Sequence, residues 1–89
     1  MKLKYKFVIR KIGDNSVAVT VGDDNAKFNG MIKLNDTAEL IFSKLINGES
    51  SVENIVDAIL EKYDIERETA IKSVTDFINV LREDGLLYD

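Results

Sequence analysis

The chain has 89 residues, 45% of them apolar, which suits one small domain with a packed core and leaves no room for two. It contains neither Cys nor His, which excludes disulfides, thiolate nucleophiles, ordinary zinc sites and imidazole acid–base chemistry, and with them most enzyme mechanisms. The net charge of −4 argues against general nucleic-acid binding, and no apolar run approaches the roughly 18 residues of a membrane span, so a soluble cytoplasmic domain over residues 1–89 is expected.

The first predicted strand runs from Tyr5 to Ile12, where Tyr5, Phe7 and Ile9 alternate with Lys6, Val8 and Arg10. Gly13-Asp14-Asn15-Ser16 is a turn by composition. Val17, Val19 and Val21 then alternate with Ala18 and Thr20 in a second strand, closed by Gly22-Asp23-Asp24-Asn25. A third strand is expected from about Lys27 to Leu34, with Phe28, Gly30, Ile32 and Leu34 on one side and Asn29, Met31 and Lys33 on the other. Connections this short favour an antiparallel meander.

At Asn35-Asp36 the period changes from two to that of a helix, and either residue can cap the amides of the first turn. Ala38, Ile41, Phe42, Leu45 and Ile46 carry the apolar face of a helix that stops at Asn47-Gly48. Ser50 or Ser51 opens a second helix, whose stripe is Val52, Ile55, Val56, Ile59, Leu60 and Tyr63. After a corner at Asp64-Ile65, a third helix spans about Glu66 to Asp84 and Gly85 ends it before Leu86-Leu87-Tyr88. One of its stripes, Ala70, Val74, Phe77 and Leu81, is wholly apolar; beside it lies a mixed stripe of Ile71, Thr75, Ile78 and Arg82. The wide apolar arc fits a helix packed on two sides, and its mixed margin fits the wall of a groove equally well. The order β-β-β-α-α-α is an α+β fold of winged helix-turn-helix type, a three-stranded antiparallel sheet followed by three helices.

Charge is unevenly spread. Lys2, Lys4, Lys6, Arg10 and Lys11 fall in the first eleven residues with no acid among them, while acids dominate the helical half. Solvated faces explain this; a basic rim that attracts an acidic partner explains it too.

The run from Phe28 to Phe42, Phe-Asn-Gly-Met-Ile-Lys-Leu-Asn-Asp-Thr-Ala-Glu-Leu-Ile-Phe, resembles the signature of the PqqD-like family. These are proteins of pyrroloquinoline quinone synthesis and the wider recognition elements for precursor peptides. The pattern continues in Ile46-Asn47-Gly48, Ser51-Val52-Glu53-Asn54-Ile55-Val56 and Gly85-Leu86-Leu87, so the resemblance spans nearly the whole chain. Each piece alone is explained by capping and packing; together, in order, they match the family.

The resemblance implies a non-catalytic protein, with no cofactor and no metal. Such a protein holds the leader segment of a ribosomally made precursor peptide and presents it to a modifying enzyme, often a radical SAM enzyme. An open edge of the third strand would accept the leader as a further strand, and the third helix would form the other wall. On this reading Lys27, Phe28, Asn29, Met31, Ile32 and Lys33 contact the peptide from the strand, and Ile71, Thr75, Ile78 and Arg82 from the helix. The opposite helix flank, Ser73, Phe77 and Val80, could face the groove instead.

Plain structural roles compete for several of these residues. Phe28, Ile32 and Leu34 suit the core, Gly30 a bulge or close backbone approach, and Lys33 the guarding of an edge. Met31, an adaptable thioether between two polar residues, suits a peptide surface. Arg82 suits a surface ion pair.

Rival functions fare less well. A nucleic-acid binder of this fold needs a basic recognition helix, whereas from Lys72 onward the third helix sets Lys72 and Arg82 against Asp76, Glu83 and Asp84. A carboxylate-only enzyme would need paired acids on an otherwise apolar helix face, and none occur. A scaffold or regulatory interaction domain using the same groove for a different ligand remains an alternative, and both monomer and homodimer are open.

Overall fold

The computed structural model describes residues 1–88. Strands β1 (Lys2–Leu3), β2 (Phe7–Ile12), β3 (Asn15–Thr20) and β4 (Met31–Leu34) precede helices α1 (Asp36–Ile46), α2 (Val52–Lys62) and α3 (Arg67–Glu83), and β5 (Leu87–Tyr88) follows them. β2, β3 and β4 form an antiparallel sheet in that spatial order, α1 packs on one of its faces and α2 and α3 close the core with it, giving the expected α+β arrangement.

The first hairpin turns more tightly than expected, with Asn15 and Ser16 paired in β3, and two larger features depart from the expected meander. The first is a small ribbon: β1 pairs antiparallel with β5, and the Lys4 amide donates to the Leu86 carbonyl at 2.8 Å. Two-residue strands leave no readable period, which is why the sequence does not announce them. The ribbon is reached through Gly85, whose φ of +73° closes α3. Its amide donates to the Arg82 carbonyl and the Leu86 amide to the Leu81 carbonyl, both at 3.0 Å, the paired bonds of a Schellman stop.

The second departure is the length of the third strand, which begins at Met31 and not near Lys27. Gly22–Ala26 form a 3-10 turn, and the amides of Lys27 and Phe28 both donate to the Asp24 carbonyl at 3.0 Å. Thr20, buried on the inner face of β3, donates its hydroxyl to the Phe28 carbonyl at 2.6 Å. A side chain of β3 thus holds Phe28 where a strand pairing would otherwise lie. Alternation in residues 27–30 is therefore genuine in the sequence and unused by the sheet.

The caps resolve to Asn35, whose side chain accepts the Ala38 amide at 2.8 Å, and Ser51, which accepts the Asn54 amide at 3.1 Å. Inside, Phe7, Ala18 and Leu34 of the sheet meet Ile41, Phe42 and Leu45 of α1, with Ile55, Ile59, Val74 and Leu81 of the later helices beneath. All four phenylalanines form one run of ring contacts. Phe28 lies 5.9 Å from Phe7, Phe7 lies 5.1 Å edge-on to Phe42, and Phe42 lies 6.4 Å from Phe77.

One acid of α1, Glu39, ties it to the sheet. Ser16 is buried on the inner face of β3, and a buried hydroxyl needs a partner. It donates to Glu39 of α1, which also accepts from Lys11 of β2 at 3.2 Å. The Ser16 hydroxyl, and after it the Lys11 ammonium, hold the Glu39 carboxyl below the ordinary glutamate value. A carboxyl lowered in the folded state stabilises above its unfolded pKa of about 4.3, and that contribution is lost as pH falls through the folded value. Between about pH 6 and pH 3, Glu39→Gln is therefore expected to lose less thermal stability than the wild type. Equal slopes in paired melts would show that the Ser16 contact does not favour the ionised form.

Candidate peptide-binding edge and groove

β4 pairs with β3 on one side, and among the described residues no strand lies on its other side. An unpaired edge exposes backbone amides and carbonyls that another extended chain can satisfy. Side chains along β4 alternate as the pleat requires: Met31 is 60% exposed, Ile32 half-buried against the core, Lys33 exposed and Leu34 buried.

Directly after β4 the chain enters α1, and there a groove of about 360 Å³ opens between α1 and α3. Asn35, Thr37, Ala38 and Ile41 line it from the α1 side, and Ser73, Asp76, Phe77 and Val80 from α3. Its apolar floor comes from Ala38, Ile41 and Phe77, and polar groups stand around it. Val80, 49% exposed, is the apolar residue of this wall most open to solvent. Phe77 is half-buried and rests against the Phe42 ring, so the floor stands on the core.

The helical flank expected from the mixed stripe is elsewhere. Ile78 is 1% exposed and belongs to the core, closed to any ligand. Ile71 lines a separate hollow with Val52, Val56 and Arg67, on the α2 side of α3. Thr75 is exposed, and Arg82 is exposed with its Nη1 donating to Asn79 Oδ1 at 3.2 Å. Half a helix turn separates this flank from Ser73 and Val80. Ile78 and Phe77 exchange the roles the periodicity suggests: one goes inside and the other lies at the groove margin. Neighbouring stripes of similar apolarity differ by one step round the helix, and only the position of α2 decides which is covered.

On the strand side the candidates divide as well. Met31, Ile32 and Lys33 stand on the open edge itself. Lys27, Phe28 and Asn29 precede the strand: Lys27 pairs with Asp24 at 3.7 Å, Phe28 folds onto Phe7, and Asn29 is exposed. Gly30 permits this fold, because a Cβ there would stand 3.3 Å from Phe28 Cζ. The approach is that of the Phe28 ring, which a Cβ would push back by a few tenths of an ångström, and Gly30 lies outside the paired strand, so no bulge is involved.

Asn35, Thr37, Ala38 and Ile41 read from the sequence as cap and core only. Their groove-lining role had no signal, because capping and packing already account for each one.

No curated protein matches the chain. Among solved structures, TbiB1 in complex with the TbiA(beta) leader peptide is 28% identical, with a TM-score of 0.76 over 100% of this chain and 99% of that one. A lasso peptide synthetase B1 complexed with the leader peptide shares the fold at 22% identity and a TM-score of 0.72, over 99% and 96% of the two chains. The family model described as coenzyme PQQ synthesis protein D (PqqD) matches residues 16–87, which takes in β3 from Ser16 on, β4, the three helices and the start of β5, and the chain belongs to that family.

Proposed function

We propose that this protein binds the leader segment of a ribosomally synthesised precursor peptide by strand addition at β4 and presents it to a modifying enzyme, itself performing no chemistry. The observation that carries this reading is the open β4 edge followed, at Asn35, by the α1–α3 groove, in a chain of the PqqD family similar to a leader-bound protein. Main-chain bonds to the edge would supply affinity in any sequence, and side chains entering the groove would set register. On the family resemblance alone, the enzyme served is of the radical SAM type. Met31, Ile32 and Lys33 would line the peptide strand, with Ser73, Phe77 and Val80 forming the facing wall. Lys27 and Asn29 would meet the peptide only where it extends past the start of β4.

An NMR titration with leader peptides encoded beside the gene tests this. The amides of Met31 to Leu34 and of Ser73 to Val80 are expected to shift together, while those of Ile71's neighbours on α2 stay still. β2 is the sheet's other edge, with its own shallow hollow lined by Val8, Ile9, Ser43 and Ile46. Shifts confined to Phe7 to Ile12 would move the peptide to that edge, and no shifts with any leader would end the proposal.

A further inference from the structure

The sheet has a second face. Cross-strand register sets Val8, Val19 and Met31 in one row across it, and Arg10, Val17 and Lys33 in the next. None of the four apolar residues in these rows joins the cluster beneath the helices, although Val17 is only 4% exposed. Paired residues on one face stand about 5 Å apart, so the stems of Arg10 and Lys33 lie alongside Val17 and hold their charges beside an apolar strip.

This face is also one-signed. The three strands contain Arg10, Lys11 and Lys33 and not one acid, in a chain whose net charge is −4. Of the other N-terminal cations, Lys2 and Lys4 stand over the Tyr88 ring at 5.7 and 5.6 Å and Lys11 pairs with Glu39 at 3.2 Å, while Lys6 lies before β2 and outside these rows. Among the described residues, Arg10 and Lys33 have no acid within ion-pair distance. Solubility alone would be served by charges of both signs, without valines between them.

We propose, resting on the function proposed above, that this solvent face of the sheet docks the modifying enzyme through an apolar strip on that enzyme bordered by carboxylates. Charge complementarity selects the partner's chemistry: a second copy laid face to face would bring two more unmatched cations and no carboxylate to the contact. Continuity selects the enzyme. β4 contributes Met31 and Lys33 to this face and its free edge to the leader, so a partner seated here lies one strand from the peptide it must modify. A leader added to β4 would continue both rows by one residue each, because the pleat keeps side chains opposite Met31 and Lys33 on the same side.

Arg10 tests this cleanly, because β2 is two strands from the edge that would hold the leader. Binding of the purified modifying enzyme encoded beside the gene is measured for wild type, Arg10→Glu and Arg10→Lys, with leader affinity measured for all three. Arg10→Glu is expected to weaken enzyme binding at least about tenfold, and Arg10→Lys by less than about threefold, with leader affinity unchanged in both. Leader affinity that is preserved also shows that the variants fold. Enzyme binding unaffected by Arg10→Glu overturns the inference, as does a wild-type dimer that Arg10→Glu dissociates while the enzyme still binds. A wild-type chain that binds no leader overturns instead the function on which the inference rests.

Discussion

Phe42→Ala is expected to remove about 3–5 kcal/mol of folding stability, the range for truncating a fully buried phenylalanine. Phe42 is 0% exposed and its ring contacts both Phe7 and Phe77, so truncation leaves a cavity where sheet, α1 and α3 meet. Native domains carry about 0.05–0.15 kcal/mol per residue, or roughly 4–13 kcal/mol for a chain of 89 residues. The variant therefore loses much of what the fold has, and its melting temperature should fall by roughly 12–40 °C. Phe42→Leu keeps most of the volume and should cost less, about 1–2 kcal/mol. Thermal melts of both variants by circular dichroism check the pair. A fall under about 5 °C for Phe42→Ala would mean that the neighbouring rings collapse into the space.

The same residue shows how far the sequence was legible. The period of α1, a cap at Asn35 or Asp36 and a stop at Asn47-Gly48 are local properties, written within a dozen residues, and the structure keeps them with Asn35 as the cap. The stripe of α2 and the extent of α3, within a residue at either end, are legible for the same reason. What failed depends on partners distant in the chain. Residues 27–30 alternate like a strand, yet Thr20 and Asp24 hold that segment in another path. β1 and β5 become strands only because Gly85 turns the chain back toward Lys2 and Leu3. On α3, Ile78 and Phe77 are both apolar neighbours of the core face, and which of them is sealed follows from where α2 and α1 lie. A single sequence carries the period of a helix but not the direction from which its neighbours approach.

Direction on α3 is what Val80→Asp and Ile71→Asp separate. Both residues are exposed apolar side chains, at 49% and 42%, on opposite flanks of one helix. Either substitution should cost about 1 kcal/mol, since each gives up a half-covered apolar side chain without opening the core. Their effects on leader binding should differ sharply. Val80 lines the groove beside Asp76, so a carboxylate there would be buried by the incoming peptide next to a like charge, and the peptide would no longer have the valine methyls to pack on. That combination is expected to weaken leader binding about 10–100-fold, or roughly 1.4–2.7 kcal/mol. Ile71 lies in the hollow against α2, away from β4, and its substitution should leave leader affinity within about twofold. Fluorescence anisotropy with a labelled leader measures both. If Ile71→Asp weakens binding while Val80→Asp does not, the peptide runs along the α2 side of α3, and the β4 edge and the α1–α3 groove cannot both belong to one site. If Val80→Asp alone weakens it, the shared groove is the part of the surface that distinguishes one leader from another, because the backbone bonds of an added strand are the same for every sequence.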